Sequence, residues 1–198
     1  MLNVSESVAA RPADPDLPLL RDLHQQNGAF ETLYRRYYPR LFDFVLRIVG
    51  QSADVEEIIN DTMMVVWNKA DTFAERSKVS TWIFGIAYKK SLKRLKNNKR
   101  RTSREINADV ECEDGRDPAD AVDNKAMLDR IRAAVGKLPM AQRSIVHLAF
   151  FYGHSYSEIA QIVDCPVNTV KTRMFYARQR LRPILDEARE MEMNDETR

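Results

Sequence analysis

The stretch HSYSEIAQIVDCPVNTVKTRMFYARQRLR, residues 154–182, constrains the fold more than any other part of the chain. Ser155 and Glu158 have the S-x-x-E spacing of a capping box, in which each side chain satisfies a backbone N–H that a helix start leaves unpaired. Ile159, Ala160, Ile162 and Val163 then recur on one helical face. Asp164 and Cys165 predict a tight turn. Pro166 sits where a second helix begins, a position that tolerates its missing N–H. In that second helix Val167, Val170, Met174, Ala177 and Leu181 form a single apolar stripe. The other faces carry Asn168, Thr169, Lys171, Thr172, Arg173, Phe175, Arg178, Gln179 and Arg182, and no acid occurs between Asp164 and Asp186. Helix, short turn and helix is the unit that lays its second helix in a DNA major groove. Lys and Arg neutralise phosphates, Asn, Thr, Gln and Arg hydrogen-bond to base edges, and an acid on that face would be repelled. The simpler alternative is a helical hairpin with a solvated basic face. Capping box, proline position and missing acids together favour DNA reading.

The rest of the chain is also helical in pattern. Only 6 glycines occur in 198 residues, too few for a hairpin-rich β protein, and no strand pattern is convincing. In AFETLYRRYYPRLFDFVLRIVG, Phe30, Leu33, Tyr34, Tyr37, Leu41, Phe44, Val45 and Ile48 keep helical spacing, Pro39 predicts a kink or split, and Gly50 a stop. In SADVEEIINDTMMVVWNKADTF, Val55, Ile58, Ile59, Thr62, Met63, Val66, Trp67 and Ala70 make one stripe, with Ser52 or Asp54 as the expected cap. The opposite face carries Glu57, Asn60, Asp61 and Asn68. After the polar loop AERSKVS comes TWIFGIAYKKSLKRLKNNKRR, in which apolar positions are interleaved with Lys89, Lys90, Lys93, Arg94 and Lys96. DNKAMLDRIRAAVGKLP and AQRSIVHLAFFYGH supply two more helices before the opening stretch. The expected fold is all-α: two small helical domains joined by a flexible acidic linker.

Charge divides the chain more sharply than its net value of +2 implies. No acid occurs from Arg76 to Arg104, whereas acids dominate from Glu105 to Asp123, where Arg116 is the sole base. The expected organisation is a disordered tail over residues 1–16, a first domain over 17–102, a linker over 103–122, a second domain over 123–186 and a tail over 187–198. No run approaches transmembrane length and no apolar signal core opens the chain, so a cytoplasmic protein without membrane insertion is expected. Two cysteines, Cys112 and Cys165, lie in unrelated contexts, and with His147 and His154 they fit no standard zinc spacing. Cys112 sits between Glu111 and Glu113, which disfavours a reactive thiolate. No nucleophile motif surrounds any serine, and the acids lack the convergence that metal-dependent nucleic-acid chemistry needs. Neither a catalytic centre nor a cofactor is expected.

In order and content these segments resemble the extracytoplasmic-function (ECF) sigma factors of bacterial RNA polymerase. The resemblance runs from about Phe30 to Arg182: LPMAQRSIVHLAFFYGHSYSEIAQIVDCPVNTVKTRMFYARQRLR is similar to their region 4, and DVEEIINDTMMVVWNKADTF with STWIFGIAYKKSLKRLKNNKRR to their region 2. It implies a promoter-recognition subunit, without catalysis of its own, that binds core polymerase through its clamp coiled coil and flap and helps open promoter DNA. Such proteins are commonly silenced by an anti-sigma factor until a stress signal arrives. The resemblance places Glu57, Asn60 and Asp61 against the clamp coiled coil. It places the −10 strand on the loop over residues 71–80 and the helix behind it, with Lys78, Trp82, Tyr88, Lys89, Lys93 and Arg94 as candidates. Cationic grooves with aromatic surfaces suit a single strand, although Trp82 lies on the apolar stripe and reads by periodicity as core.

The chain departs from the family twice. Tyr88 and Lys89 stand where an Arg-Asn pair is common, and Lys93 where an acid is common, which leaves the −10 sequence undetermined. The helix from Val167 is expected to read the −35 element through Asn168, Lys171, Thr172 and Phe175, with Arg173 and Arg178 on phosphates and Thr169 also on the DNA-binding face. The family pattern also threads the acidic linker through a polymerase channel. The alternative function is a stand-alone helix-turn-helix regulator, which would bind its site tightly without polymerase.

Overall fold

The computed structural model describes residues 14–25, 28–102 and 125–195. Eight α-helices and one 3-10 turn form two lobes, and no strand occurs among the described residues. In the first lobe α1 (Leu17–Arg21) leads into α2 (Ala29–Val49), α3 (Ser52–Lys69), a 3-10 turn (Ala70–Thr72) and α4 (Val79–Thr102). In the second lobe α5 (Lys125–Gly136), α6 (Met140–Phe150), α7 (Tyr156–Ile162) and α8 (Val167–Asp195) follow.

The first lobe is a bundle of α2, α3 and α4 around Leu33, Tyr37, Leu41, Phe44, Val45, Val55, Ile59, Met63, Val66, Ile83, Phe84 and Ala87, all fully or almost fully buried. Each large side chain of this kind stabilises by about 1.5–3 kcal/mol relative to exposure. Pro39 does not split α2, which runs unbroken, because Arg35 and Pro39 both face solvent and water can reach the carbonyl that loses its donor. Gly50 ends α2 in the left-handed conformation at φ 74°, and its N–H donates to the Leu46 carbonyl at 2.8 Å. Neither expected cap holds for α3. Gln51 precedes it and caps with no side-chain bond, while Asp54 is drawn across to Arg94 and Asn98 of α4.

The expected tail boundary at residue 16 cuts through an anchored segment. Asp16 is 6% exposed and accepts hydrogen bonds from Arg36 and from the Tyr37 hydroxyl. Asp14 accepts from the Val79 amide at 2.6 Å, so an acid 65 residues upstream satisfies an orphan donor at the start of α4. Residues 1–13 and the expected linker, 103–122, lie outside the described residues. At the other end α8 continues to Asp195, past the boundary expected at residue 186, so most of the expected tail belongs to a helix.

In the second lobe α5, α6, α7 and α8 enclose Val135, Leu138, Ile145, Leu148, Ile159, Ile162, Val170, Met174 and Ala177. The capping box forms as expected: Ser155 Oγ accepts from the Glu158 amide, and Glu158 Oε2 accepts from the Ser155 amide at 2.8 Å. Asp164 turns the chain at φ 54°, a conformation that Asp tolerates better than most residues. The Cys165 amide then donates to the Ala160 carbonyl at 3.0 Å, closing the turn. Pro166 stands one residue before α8, and its carbonyl accepts from Thr169 and Val170.

The two lobes pack against each other. Helix α7 lies across α4, and α6 touches α2. Tyr152 is wedged between Phe84 and Phe44, with ring centroids 4.9 and 5.9 Å away, and its hydroxyl donates to Asp43 at 2.6 Å. The Arg40 guanidinium sits over the Phe84 and Tyr152 rings at 5.4 and 5.9 Å. Beyond the two helical domains expected from the sequence, the lobes thus share a seam that no local pattern announces.

Candidate nucleic-acid interface

Helix α8 meets the expectation of an outward-facing polar helix. Val170, Met174, Ala177 and Leu181 are buried against α5, α6 and α7, which leaves Asn168, Lys171, Thr172, Phe175 and Arg178 exposed. Thr169 and Arg173 are half-buried. Phe175 is 63% exposed and makes an edge contact with Tyr176, itself 50% exposed and absent from the sequence-derived candidates. An exposed aromatic pair on a basic helix is the signal that could have flagged Tyr176. The Thr172 hydroxyl donates to the Asn168 carbonyl at 2.9 Å, so its methyl rather than its hydroxyl is the freer group. Arg178 reaches the Tyr156 hydroxyl of α7 at 3.3 Å, which links the reading helix to its brace.

Helix α4 differs from its expected surface. Tyr88 is 6% exposed, packed near Phe44 on one side and beneath the second lobe on the other, and burial pushes its hydroxyl pKa up. Phe84, four residues before Tyr88 on α4, is fully buried between Phe44, Tyr152 and His154. Both side chains therefore belong to packing in this conformation. Trp82 is half-buried and packs at a tilt against Phe73, with ring centroids 5.0 Å apart, in keeping with its place on the apolar stripe. Lys78 pairs with Glu158 of α7 at 2.9 Å, and Lys89 with Asp164 of the α7–α8 turn at 3.0 Å. Two carboxylates of the second lobe thus sit on two cations expected to meet a strand. No local signal marks Glu158 or Asp164 for this, since their partners lie in the other lobe. Lys93 is exposed.

The candidate polymerase-binding acids lie on the opposite edge of α4. Glu57 pairs with Arg94, and Asp61 pairs with Lys90 at 2.8 Å. Asn60 is exposed and accepts from the Tyr34 hydroxyl at 3.0 Å. Arg94 also approaches Asp54 at 3.5 Å, so it is tied to the acids of α3 rather than held free for DNA. The acids and bases face each other across a cleft of about 260 Å³. Next to them Met64 is 59% exposed and Trp67 38%, which moves Trp67 from the expected buried stripe to its edge, against Phe30 and His24.

His147 and His154 are both buried, and burial lowers each ring's pKa to about 4. His147 packs on Phe151, His154 on Phe84, and both ring nitrogens of His147 lack a hydrogen-bond partner. Among the described residues no group of His, Cys, Asp and Glu could hold a metal ion, and no helix is long and apolar enough to cross a membrane. Cys112 lies outside the described residues.

Two helical lobes, one ending in an open helix-turn-helix and the other carrying a basic helix beside an acidic one, define a DNA-reading protein with a second, separate surface. Comparison with known proteins names the class. Residues 33–101 match sigma-70 region 2, and residues 128–181 match sigma-70 region 4. The ECF RNA polymerase sigma factor RpoE of Cereibacter sphaeroides is 30% identical over 164 residues, covering 82% of this chain and 89% of that protein. SigW of Bacillus subtilis, also an ECF sigma factor, is 27% identical and covers 78% and 87%. Among solved structures, the sigma factor RpoE in complex with the anti-sigma factor NepR from Bartonella quintana shares the fold, with a TM-score of 0.66 at 24% identity over 81% of this chain and 98% of that one. CnrH, solved with the cytosolic domain of CnrY, gives 0.60 at 24% identity over 87% and 97%. The chain belongs to the ECF sigma factors of the sigma-70 family. It is a sigma factor of RNA polymerase, with the first lobe as region 2 and the second as region 4.

Proposed function

We propose the following division of labour for this sigma factor. Helix α8 enters the major groove of the −35 element, with Asn168, Lys171, Thr172 and Phe175 toward the bases and Thr169, Arg173 and Arg178 toward the backbone. The loop over residues 71–80 and α4 receive the opened −10 strand, with Lys78, Lys89 and Lys93 as its cations and Trp82 as an aromatic wall. Glu57, Asn60 and Asp61 of α3, beside exposed Met64 and Trp67, meet the clamp coiled coil of core polymerase, while region 4 meets the flap. The chain performs no chemistry of its own and works in the cytoplasm, on the nucleoid once bound to polymerase. An anti-sigma factor holds it silent until a stress signal, a reading supported by the partners named for similarly folded sigma factors.

One observation carries this reading: α8 presents an exposed face without a single acid between Asp164 and Asp186, on a helix held in place by a capped brace. Run-off transcription with bacterial core polymerase on fragments of the source genome tests it. RNA from defined start points is expected only when chain and core are both present. Lys171→Ala is expected to weaken promoter binding and lower its salt dependence, because it removes a cation from the helix face that enters the groove. Tight specific DNA binding by the chain alone, unchanged by core, would favour the stand-alone regulator instead.

A further inference from the structure

We propose that the segment over residues 14–25 helps set the −10 sequence preference: Arg21, flanked by His24 and Asp14, is a positioning residue that holds the loop over residues 71–80 in its reading conformation. The inference rests on the assignment of that loop to the opened −10 strand. The segment itself precedes residues 33–101, the stretch that matches sigma-70 region 2.

Three observations carry it. First, the segment ties the loop at its entry, its middle and its exit. His24 Nε2 comes within 3.7 Å of Asp71, in the 3-10 turn that opens the loop. Arg21 donates to one oxygen of Glu75, from Nε at 3.2 Å and from a terminal nitrogen at 2.6 Å. Asp14 accepts from the Val79 amide, where α4 begins. Second, the middle tie falls on a strained residue. Glu75 has φ 54°, in the left-handed region that a residue with a Cβ enters only at a cost. Such a conformation persists where surrounding contacts over-determine it, and it recurs at ligand clamps. The bond from Arg21, 54 residues upstream, is a contact of that kind. Third, the ties are separate from what anchors the segment. Leu20 and Leu23 are each 2% exposed, and Asp16 is bonded to Arg36 and Tyr37, so burial and α2 fix α1 on the bundle. The Arg21 and Glu75 side chains are 64% and 45% exposed, and an exposed ion pair adds little to stability. What the pair does fix is the shape of the loop. A surface that reads an unstacked base gains selectivity when its shape is set beforehand. A loose loop adapts to the wrong base and loses affinity to its own ordering.

Holoenzyme assembled from the full chain and bacterial core polymerase tests this, on a promoter mapped by run-off transcription and then randomised at its −10 element. Sequencing the templates held in open complexes gives the −10 preference, and a second pool randomised at the −35 element serves as internal control. Arg21→Ala is expected to reduce discrimination at one −10 position about fivefold, the smaller end of what a single base position contributes, and to leave the −35 preference unchanged. Arg21→Lys is expected to stay within about twofold of wild type, because both bonds converge on one carboxylate oxygen that a single ammonium can also reach. Glu75→Ala is expected to match Arg21→Ala, and the double variant to be no worse than either, as the two ends of one interaction require. An unchanged −10 preference in Arg21→Ala overturns the inference, and so do open complexes that fall equally for every −10 sequence, the mark of a merely structural role. Arg21→Lys as impaired as Arg21→Ala, or additive losses in the double variant, overturns it as well. Ser77→Trp, in the loop but outside the pair, tests the loop assignment separately. A changed −10 preference, or lost opening with core and −35 duplex binding intact, supports the loop as the reader. Unchanged opening and preference overturns that assignment, and the inference with it.

Discussion

Helices α4 and α8 look alike in composition and differ in circumstance. Each is basic, each has an apolar stripe, and each contains a run without acids. Yet α8 turns its polar face to solvent, whereas the corresponding part of α4 is spanned by α7 and neutralised at Lys78 and Lys89. Charge pattern therefore identifies the kind of partner a helix suits, phosphate in both cases, but not whether that partner can reach it. The difference also explains why an aromatic residue means opposite things in the two places. Phe84 is a keystone of packing between the lobes, and Phe175 is a free reading group.

The largest expected test of this contrast is Phe84→Ala against Phe175→Ala. Removal of the fully buried Phe84 is expected to cost about 3–5 kcal/mol in urea unfolding. Removal of exposed Phe175 is expected to cost no more than about 0.5 kcal/mol while weakening −35 duplex binding. Equal destabilisation by the two would erase the distinction between keystone and reader.

Acidification should come next in size. His147 and His154 have folded-state pKa values of about 4, below the ordinary 6.5 of the unfolded chain. The unfolded state thus binds more protons between those values. The stability contributed by the neutral rings is complete above the unfolded pKa and is lost as pH falls toward about 4, by up to about 3 kcal/mol for each ring. Burial is the main cause at both sites; at His154 Glu158 opposes it while Arg40 and Lys78 reinforce it, and at His147 Arg47 and Arg143 reinforce it while Asp43 opposes it. At Asp43 burial opposes ionisation, but hydrogen bonds from Arg47 and Tyr152 prevail and hold its carboxyl below the usual range. That contribution is also lost with falling pH, in a lower window than the histidines. Urea midpoints measured across this range should fall, and His154→Gln should flatten the profile. No histidine lies on α8, so the −35 affinity of the still-folded chain should vary less.

The smallest expected effect falls on both helices at once. Ser155→Ala removes the capping box of α7, the element that braces α8 and covers α4. A loss of about 1 kcal/mol is expected, seen as faster exchange of α7 amides. A loss confined to α8 would mean that α7 does not bear on α4 in solution.

Much of the molecule was legible in local pattern. The capping box, the Asp164 turn, the Gly50 stop and the α8 stripe all depend on residues within a few positions of one another, and each formed. The misreadings share a cause. Asp16 looked like part of a polar tail, but its partners, Arg36 and Tyr37, lie 20 and 21 residues further on, in α2. Trp67 followed the stripe of α3, yet the bundle curves past it and leaves it at the rim. Tyr88 and Arg94 were placed on the strand surface by the family resemblance, as an aromatic and a cation of a basic helix. One is covered by the other lobe, and the other is claimed by acids of α3.

By itself the sequence determined that this chain is helical, two-lobed and built to meet nucleic acid, because caps, turns and stripes are set by spacing along one strand of peptide. Only the tertiary structure decided which basic face stands open. That choice depends on pairings such as Tyr152 with Asp43, 109 residues apart, whose energies come from burial and proximity and leave no periodic trace in the chain.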